Sequence, residues 1–381
     1  MAERASIVRY SRCMKRYLGG LALFGFVLSS ALLSAKGCSC AADALPSTVT
    51  RDDRGYVVAW ASPQDGKSVV YVHRFLDEDF GRDHTQVLSI GPLDEAAREN
   101  VAGQEPRVVF KDQQLASAAE IARGTSGFLV LARTSRDDLV VATLDSELKV
   151  VTRKTAIARE VDAVCPAPAG YGRGYLAAWI ERGDGAKRTL RVATLDASGA
   201  IVESNDIAVG PGDCALAAVG NRWGVVHRET RGGRVLFAAA TRLGPEKPRL
   251  IEASHRGSDP LRLVAQGDGW LLLIGHGTDS VRLVSIEDGG GDGKTVLLRG
   301  VDPGSIDIGR NSTTSFASWL AAGKVHLATL ADDGSESWRG THPVARDPVG
   351  TRAFGHDDRC ASTWTSNLGR SVTIVVVGAC R

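Results

Sequence analysis

The glycine-rich stretch EDGGGDGKT, residues 287–295, invites two ligand readings. A phosphate-binding P-loop needs a Gly five residues before its last Gly, so that backbone N–H groups can cradle phosphate; that position is Asp288, and the stretch joins two expected strands instead of opening a helix. Asp288 and Asp292 stand at calcium-loop spacing with Gly293 after them, but Gly290 replaces the middle ligand and Arg299 stands where a Glu would close the site. The pair is a weak metal candidate on what otherwise reads as a hairpin tip, and no cofactor is expected. At 355–359, GHDDR sets His356 beside two carboxylates, an arrangement able to move a proton. The Asp pairs at 52–53, 137–138 and 332–333 recur in turn contexts, so turn chemistry accounts for this one too. No G-x-S-x-G elbow is present, and no catalytic residue is assigned.

A third set is defined by equivalence rather than by local spacing. Trp60, Trp179, Trp319 and Trp364 each end an apolar run, and His227 and His276 hold the same place in two further runs. If these six positions share one face, indoles and imidazoles meet there in an aromatic and polar lining suited to a ligand. The competing reading is a packing residue in each unit.

What would bring them together is a repeat. The runs GYVVAW, GFLVLAR, GYLAAW, RWGVVH, GWLLLIGH, TSFASW and CASTW end at 60, 133, 179, 227, 276, 319 and 364; after the first, the intervals are 46, 48, 49, 43 and 45 residues. Each period holds an apolar run, a Gly/Asp turn, a second run such as LRVATL, an LDxxG segment, a further short strand and a fourth apolar piece such as CALAAVG or PLRLVAQG. Short runs bounded by Gly, Asp and Ser read as strands in hairpins. In LDxxG the Asp caps a tight turn and the Gly accepts positive φ.

Four strands per unit, seven units and a fixed long period predict an all-β chain folded as a β-propeller of seven four-stranded blades. A six-bladed ring with an irregular first unit is the alternative. Blades pack face to face, which explains unbroken apolar runs such as WLLLI and TIVVV. The last unit is one strand short, and the N-terminal segment LPSTVT, 45–50, is expected to complete that blade and hide its edge. From Trp60 to Arg133 is 73 residues, and the polar segment at 91–106 is the expected insertion.

The N-terminus differs in kind. Five basic residues precede the apolar run LALFGFVLSSALLSA at 21–35, which marks residues 1–37 as an export signal and 38–44 as cleavage region and linker before a single domain at 45–381. Gly37-Cys38 fits a lipoprotein site with acylation on Cys38, although Lys36 breaks its small-residue pattern; Ala42-Asp43-Ala44 would instead release a soluble protein. Export favours disulfides, and of the three connectivities that four cysteines allow, equivalent placement in adjacent units favours Cys165 with Cys214, while Cys360 and Cys380 flank one hairpin; buried free thiols are the alternative. Residues 1–37 hold six Lys/Arg and one Glu, a net of +5 within a whole-chain charge of +2, so the remainder is −3. That balance argues against nucleic acid as a partner.

The units resemble bacterial exported propellers of the broad WD40-like and PQQ-like type over most of 45–381. In ATLADDGSESW, 328–338, Gly334 and Trp338 fit the G-x-x-x-W ending of a PQQ-type repeat, whereas the third unit has Glu203 at the Trp position and no unit carries the paired Gly-His and Trp-Asp of WD40 repeats. The function expected is noncatalytic binding of a protein, peptide or glycan at the cell envelope, with a scaffold role. The protein would be either a lipoprotein on the outer membrane, touching it only through a lipid on Cys38, or a soluble periplasmic or extracellular protein. The alternative is a carbohydrate-active hydrolase or lyase. Carboxylates clustered with His or Arg at the central mouth would favour chemistry; an aromatic and polar rim would favour binding.

Overall fold

The recurrent aspartates close hairpins as their chemistry demands. Asp196 Oδ1 accepts hydrogen bonds from the N–H groups of Ser198 (2.8 Å) and Ala200 (2.9 Å), and Gly199 sits at φ +75°. Asp145 takes the N–H groups of Glu147 (2.9 Å) and Lys149 (2.8 Å) in the same way. The structure is a computed structural model. It describes residues 45–377 apart from 65–66, 78–79, 81–85, 91–105, 186, 230–232, 241–247, 253–260, 268, 276–278, 288–291, 302–304, 311–313, 332–335, 344–347, 357–358 and 367–370.

Seven antiparallel sheets of four strands each form a ring, a seven-bladed β-propeller, with one extra short strand on the third sheet. The blades open from the axis outward on the strands Thr48–Asp52, Glu120–Gly124, Val161–Val164, Gly212–Val219, Leu261–Gln266, Asp307–Arg310 and Val349–His356. The fourth apolar piece of each sequence unit is therefore the innermost strand of the next blade.

That phase changes how the ring closes. Residues 45–50 do not complete the last blade; Thr48–Asp52 is the innermost strand of blade 1, paired with Gly55–Gln64. The missing outer strand of blade 7 does come from the N-terminal side of the chain, but it is Gln86–Ile90, with Ile374 opposite Leu88 and Val376 opposite Gln86. The chain leaves blade 1 after its third strand, closes blade 7, and returns as Arg107–Gln113 to finish blade 1. This excursion accounts for the long first interval, while the expected insertion at 91–106 lies almost wholly outside the described residues.

Burial follows distance from the axis. The second strand of blade 3, Gly174–Arg182, is buried through its first seven residues, whereas the outermost strands Ile201–Val209 and Glu336–Pro343 are largely exposed. Trp338, on the second of these, is exposed instead of docked into a neighbour. Apolar clusters fill the junctions, each drawn mainly from two adjacent blades. The closing one joins Tyr56, Val58, Trp60 and Phe75 of blade 1 to Ala361, Val372, Ile374 and Val376 of blade 7.

Cys165 and Cys214 form a disulfide between the innermost parts of blades 3 and 4, at a Cα separation of 4.9 Å. Cys360 is also disulfide-bonded; Cys380, its expected partner, lies outside the described residues. Cross-linking positions 49 residues apart restricts the unfolded chain. Exchanging both Cys165 and Cys214 for serine is therefore expected to cost about 2–4 kcal/mol in urea melts of the oxidised protein. An unchanged midpoint would show that the bridge adds nothing to this junction.

Candidate functional site

The expected aromatic and imidazole face is not a face. Trp60, Trp179 and Trp319 are 0% exposed and Trp364 and His227 are 1% exposed, all on second strands within the walls between blades. Trp319 stacks on His326 with ring centroids 5.3 Å apart, and Trp179 Nε1 donates to Glu181 at 2.7 Å. Crowding between blades selects large flat side chains here, and with no exposed surface they pack blades rather than meet a ligand. His276 and Asp288 lie outside the described residues, and Asp292 opens the outermost strand of blade 5. Among the described residues, no group of three or more His, Cys, Asp and Glu side chains gathers to hold a metal.

His73, on the third strand of blade 1, is buried too, its ring edge-on to Phe75 at 4.7 Å. Burial, followed by the charge of Arg74, pushes its pKa down to about 4 from 6.5. The unfolded chain therefore takes a proton near pH 6.5 while the folded one stays neutral. Stability is complete above that range and falls as pH drops from 6.5 toward 4, by up to about 3 kcal/mol. Urea melts at pH 7 and pH 4.5 check this, and His73→Gln is expected to flatten the difference. An equally steep loss in the variant would assign the acid sensitivity elsewhere.

The open space lies on the axis. A cavity of about 400 Å³ is lined by the innermost strands of six blades and by residues 166–170 of the third. Its walls are small: Ala215, Ala217, Ala218, Ala265, Gly309 and Gly355 leave the room that larger side chains would fill.

Charge is concentrated in one layer of this channel. Glu120 pairs across the strand with Leu131, Arg262 with Leu273, Asp307 with Ser318 and Arg352 with Thr363. Each of these partners is the fourth residue after the one that opens its run (Gly127, Gly269, Thr314 and Arg359) and stands one before Ala132, Ile274, Trp319 and Trp364, so the four charges occupy equivalent heights around the axis, and in blade 5 the register places Ile274, not His276, at the tryptophan position. Thr48 of blade 1 and Ala215 of blade 4 share the level, opposite Ala59 and Val226. Arg352 Nη2 donates to Glu120 Oε1 at 3.3 Å, and Glu120 Oε2 accepts the Ala167 N–H at 3.3 Å. Arg262 Nε donates to Asp307 Oδ1, whose Oδ2 accepts the Ala353 N–H at 2.9 Å. Burial pushes the Arg262 guanidinium below its ordinary value, and the positive charge of Arg352 adds to the effect while Asp307 and Glu120 oppose it. Three residues farther along the strands, Arg123 and Arg310 also line the space.

Four arginines against two carboxylates leave the described lining cationic. No histidine, serine or cysteine side chain is part of that lining, and Phe354 is its one aromatic. The layer carries a sequence signal apart from the repeat: charges inside otherwise apolar innermost runs, as in AAEIARG at 118–124, PLRLVAQG at 260–267 and SIDIGR at 305–310. A charge in a strand buried on both faces needs a partner or a ligand.

No protein-family model matches the chain, and no curated protein matches it either. Among solved structures, a prolyl endopeptidase is similar with a TM-score of 0.50 and 13% identity over 88% of this chain and 47% of that one. The Aleuria aurantia lectin aligns with a TM-score of 0.48 and 11% identity over 71% of this chain and 98% of that one. The subtype N10 neuraminidase-like protein of the isolate A/little yellow-shouldered bat/Guatemala/060/2010 aligns at 0.48 and 8% over 71% of this chain and 97% of that one. At 13% identity, the first of these likenesses concerns fold alone.

Proposed function

We propose that the chain is an exported, noncatalytic propeller whose central channel binds a protein, peptide or glycan at the cell envelope, with the leader removed and Cys38 acylated or the soluble chain released. The observation that supports it is the cavity itself: a cationic space walled by small side chains, with fixed polar groups from several blades converging on it. The two carboxylates with arginines meet the condition set for chemistry, and so keep a carbohydrate-active hydrolase or lyase as the second reading. Against that reading, Asp307 spends one oxygen on the Arg262 guanidinium and the other on the Ala353 N–H, which leaves Glu120, held at 3.3 Å by Arg352 and the Ala167 N–H, without the second free carboxylate that glycoside hydrolysis employs.

The test is titration of the mature protein with panels of oligosaccharides and peptides, read by hydrogen exchange. Protection is expected on the innermost strands at 215–218, 262–265 and 352–355. Protection confined to outer strands would move the site off the channel, and released product would select the enzyme. Intact mass of the exported protein reports the lipid on Cys38.

A further inference from the structure

The two ion pairs of the charged layer are not equally tight. Asp307 receives Arg262 Nε and a backbone N–H at 2.9 Å, while both hydrogen bonds of Glu120, to Arg352 and to the Ala167 N–H, are stretched to 3.3 Å. Arg352 Nε is buried without a hydrogen-bond partner, and its side chain is 13% exposed beside the cavity. A guanidinium presents five donors in a planar fork suited to a carboxylate taken at two points. Arg352 uses that fork poorly on Glu120. Arg262, close enough in the same layer to repel it, supplies a second positive charge to any anion seated between them. Of the remaining lining arginines, Arg123 is paired with Asp53 at 3.1 Å, and Arg310 adds positive charge three residues farther along its strand.

We propose that the channel is a carboxylate-binding site in which Arg352, with Arg262 beside it, takes the acid group of the ligand, and Glu120 is a resident competitor that the ligand displaces. This rests on the binding reading of the channel and names its ligand chemistry. Displacement moves Glu120 off Arg352 and puts the ligand carboxylate in its place, so the layer, neutral when ligand-free with two carboxylates against two arginines, gains one negative charge. A purely structural ion pair has a different signature, because removing either partner then weakens the protein without improving any ligand.

Calorimetry at low ionic strength on the mature chain tests it, with glucuronate as the probe for an acidic glycan, N-acetylglutamate for an acidic peptide, and glucose as the neutral control. At least one carboxylate is expected to bind with one-to-one stoichiometry and more tightly than glucose. Glu120→Gln is expected to tighten that binding, and Arg352→Gln to weaken it about tenfold or more. The double variant, which leaves no charge of this pair unmatched, keeps the test open if Arg352→Gln folds poorly, and it is expected to bind as weakly. Carboxylates that bind no better than glucose, a double variant that binds like the parent, or a Glu120→Gln variant that binds less tightly would each overturn the proposal. If a neutral oligosaccharide or peptide still protects the innermost strands while carboxylates do not bind, the carboxylate assignment falls and the binding channel stands. If nothing protects those strands, both fall.

Discussion

Asp52→Ala is expected to lower the stability of the protein by about 3–5 kcal/mol, the scale of breaking a buried ion pair by removing one partner. The side chains of Arg74 and Asp52 are 4% and 7% exposed, and Arg74 Nη2 donates to Asp52 Oδ2. The other oxygen of Asp52 accepts the N–H groups of Arg54 at 3.0 Å and Gly55 at 3.1 Å, closing the first hairpin of blade 1. Arg74 also reaches Ser146 O at 2.7 Å on blade 2. Alanine would strand a buried guanidinium and open the turn in the same step. Asp52→Asn keeps an acceptor for the turn and loses the charge, so it should cost less than alanine. Urea denaturation of both variants at pH 7 measures the difference, and a change within about 1 kcal/mol for Asp52→Ala would mean that Arg74 finds another partner or water.

Trp319→Ala is expected to cost about 3–5 kcal/mol while leaving ligand affinity unchanged in whatever fraction stays folded. Trp319 is fully buried in the cluster that joins blades 5 and 6, packed among Leu273, Leu283, Ile308 and Ala317. Arg339 lies over its ring at 5.1 Å, and His326 stacks against it. Removing the indole empties a volume that rigid strands on both sides cannot close. Thermal melts give the first quantity and titration with a channel ligand gives the second. Lost affinity with an unchanged melting temperature would restore Trp319 to the ligand site that equivalence among repeats first suggested. The same reasoning applies to Trp60, Trp179 and Trp364, whose shared position expresses a shared place in the wall and not a shared function.

The amino-acid sequence on its own determined the architecture, because the repeat is written in local chemistry. Asp and Gly at fixed turns, short apolar runs and a period in the forties specify hairpins of four strands wherever they occur, and seven copies with apolar surface on both sides bury it best as a ring. The pairing of Cys165 with Cys214 was legible for the same reason, since equivalent positions in adjacent repeats become neighbours. What only the tertiary structure decided is what depends on contacts between distant segments. Gln86–Ile90 and Thr48–Asp52 are both short strands at the N-terminal side, and nothing in either says which one completes a blade whose third strand lies at 371–377. The charged layer is a stronger case: Glu120 and Arg352 are 232 residues apart, and Arg262 and Asp307 come from two further blades. A charge in a buried apolar run announces that it needs a partner; which partner it meets is set by the closure of the ring around the axis.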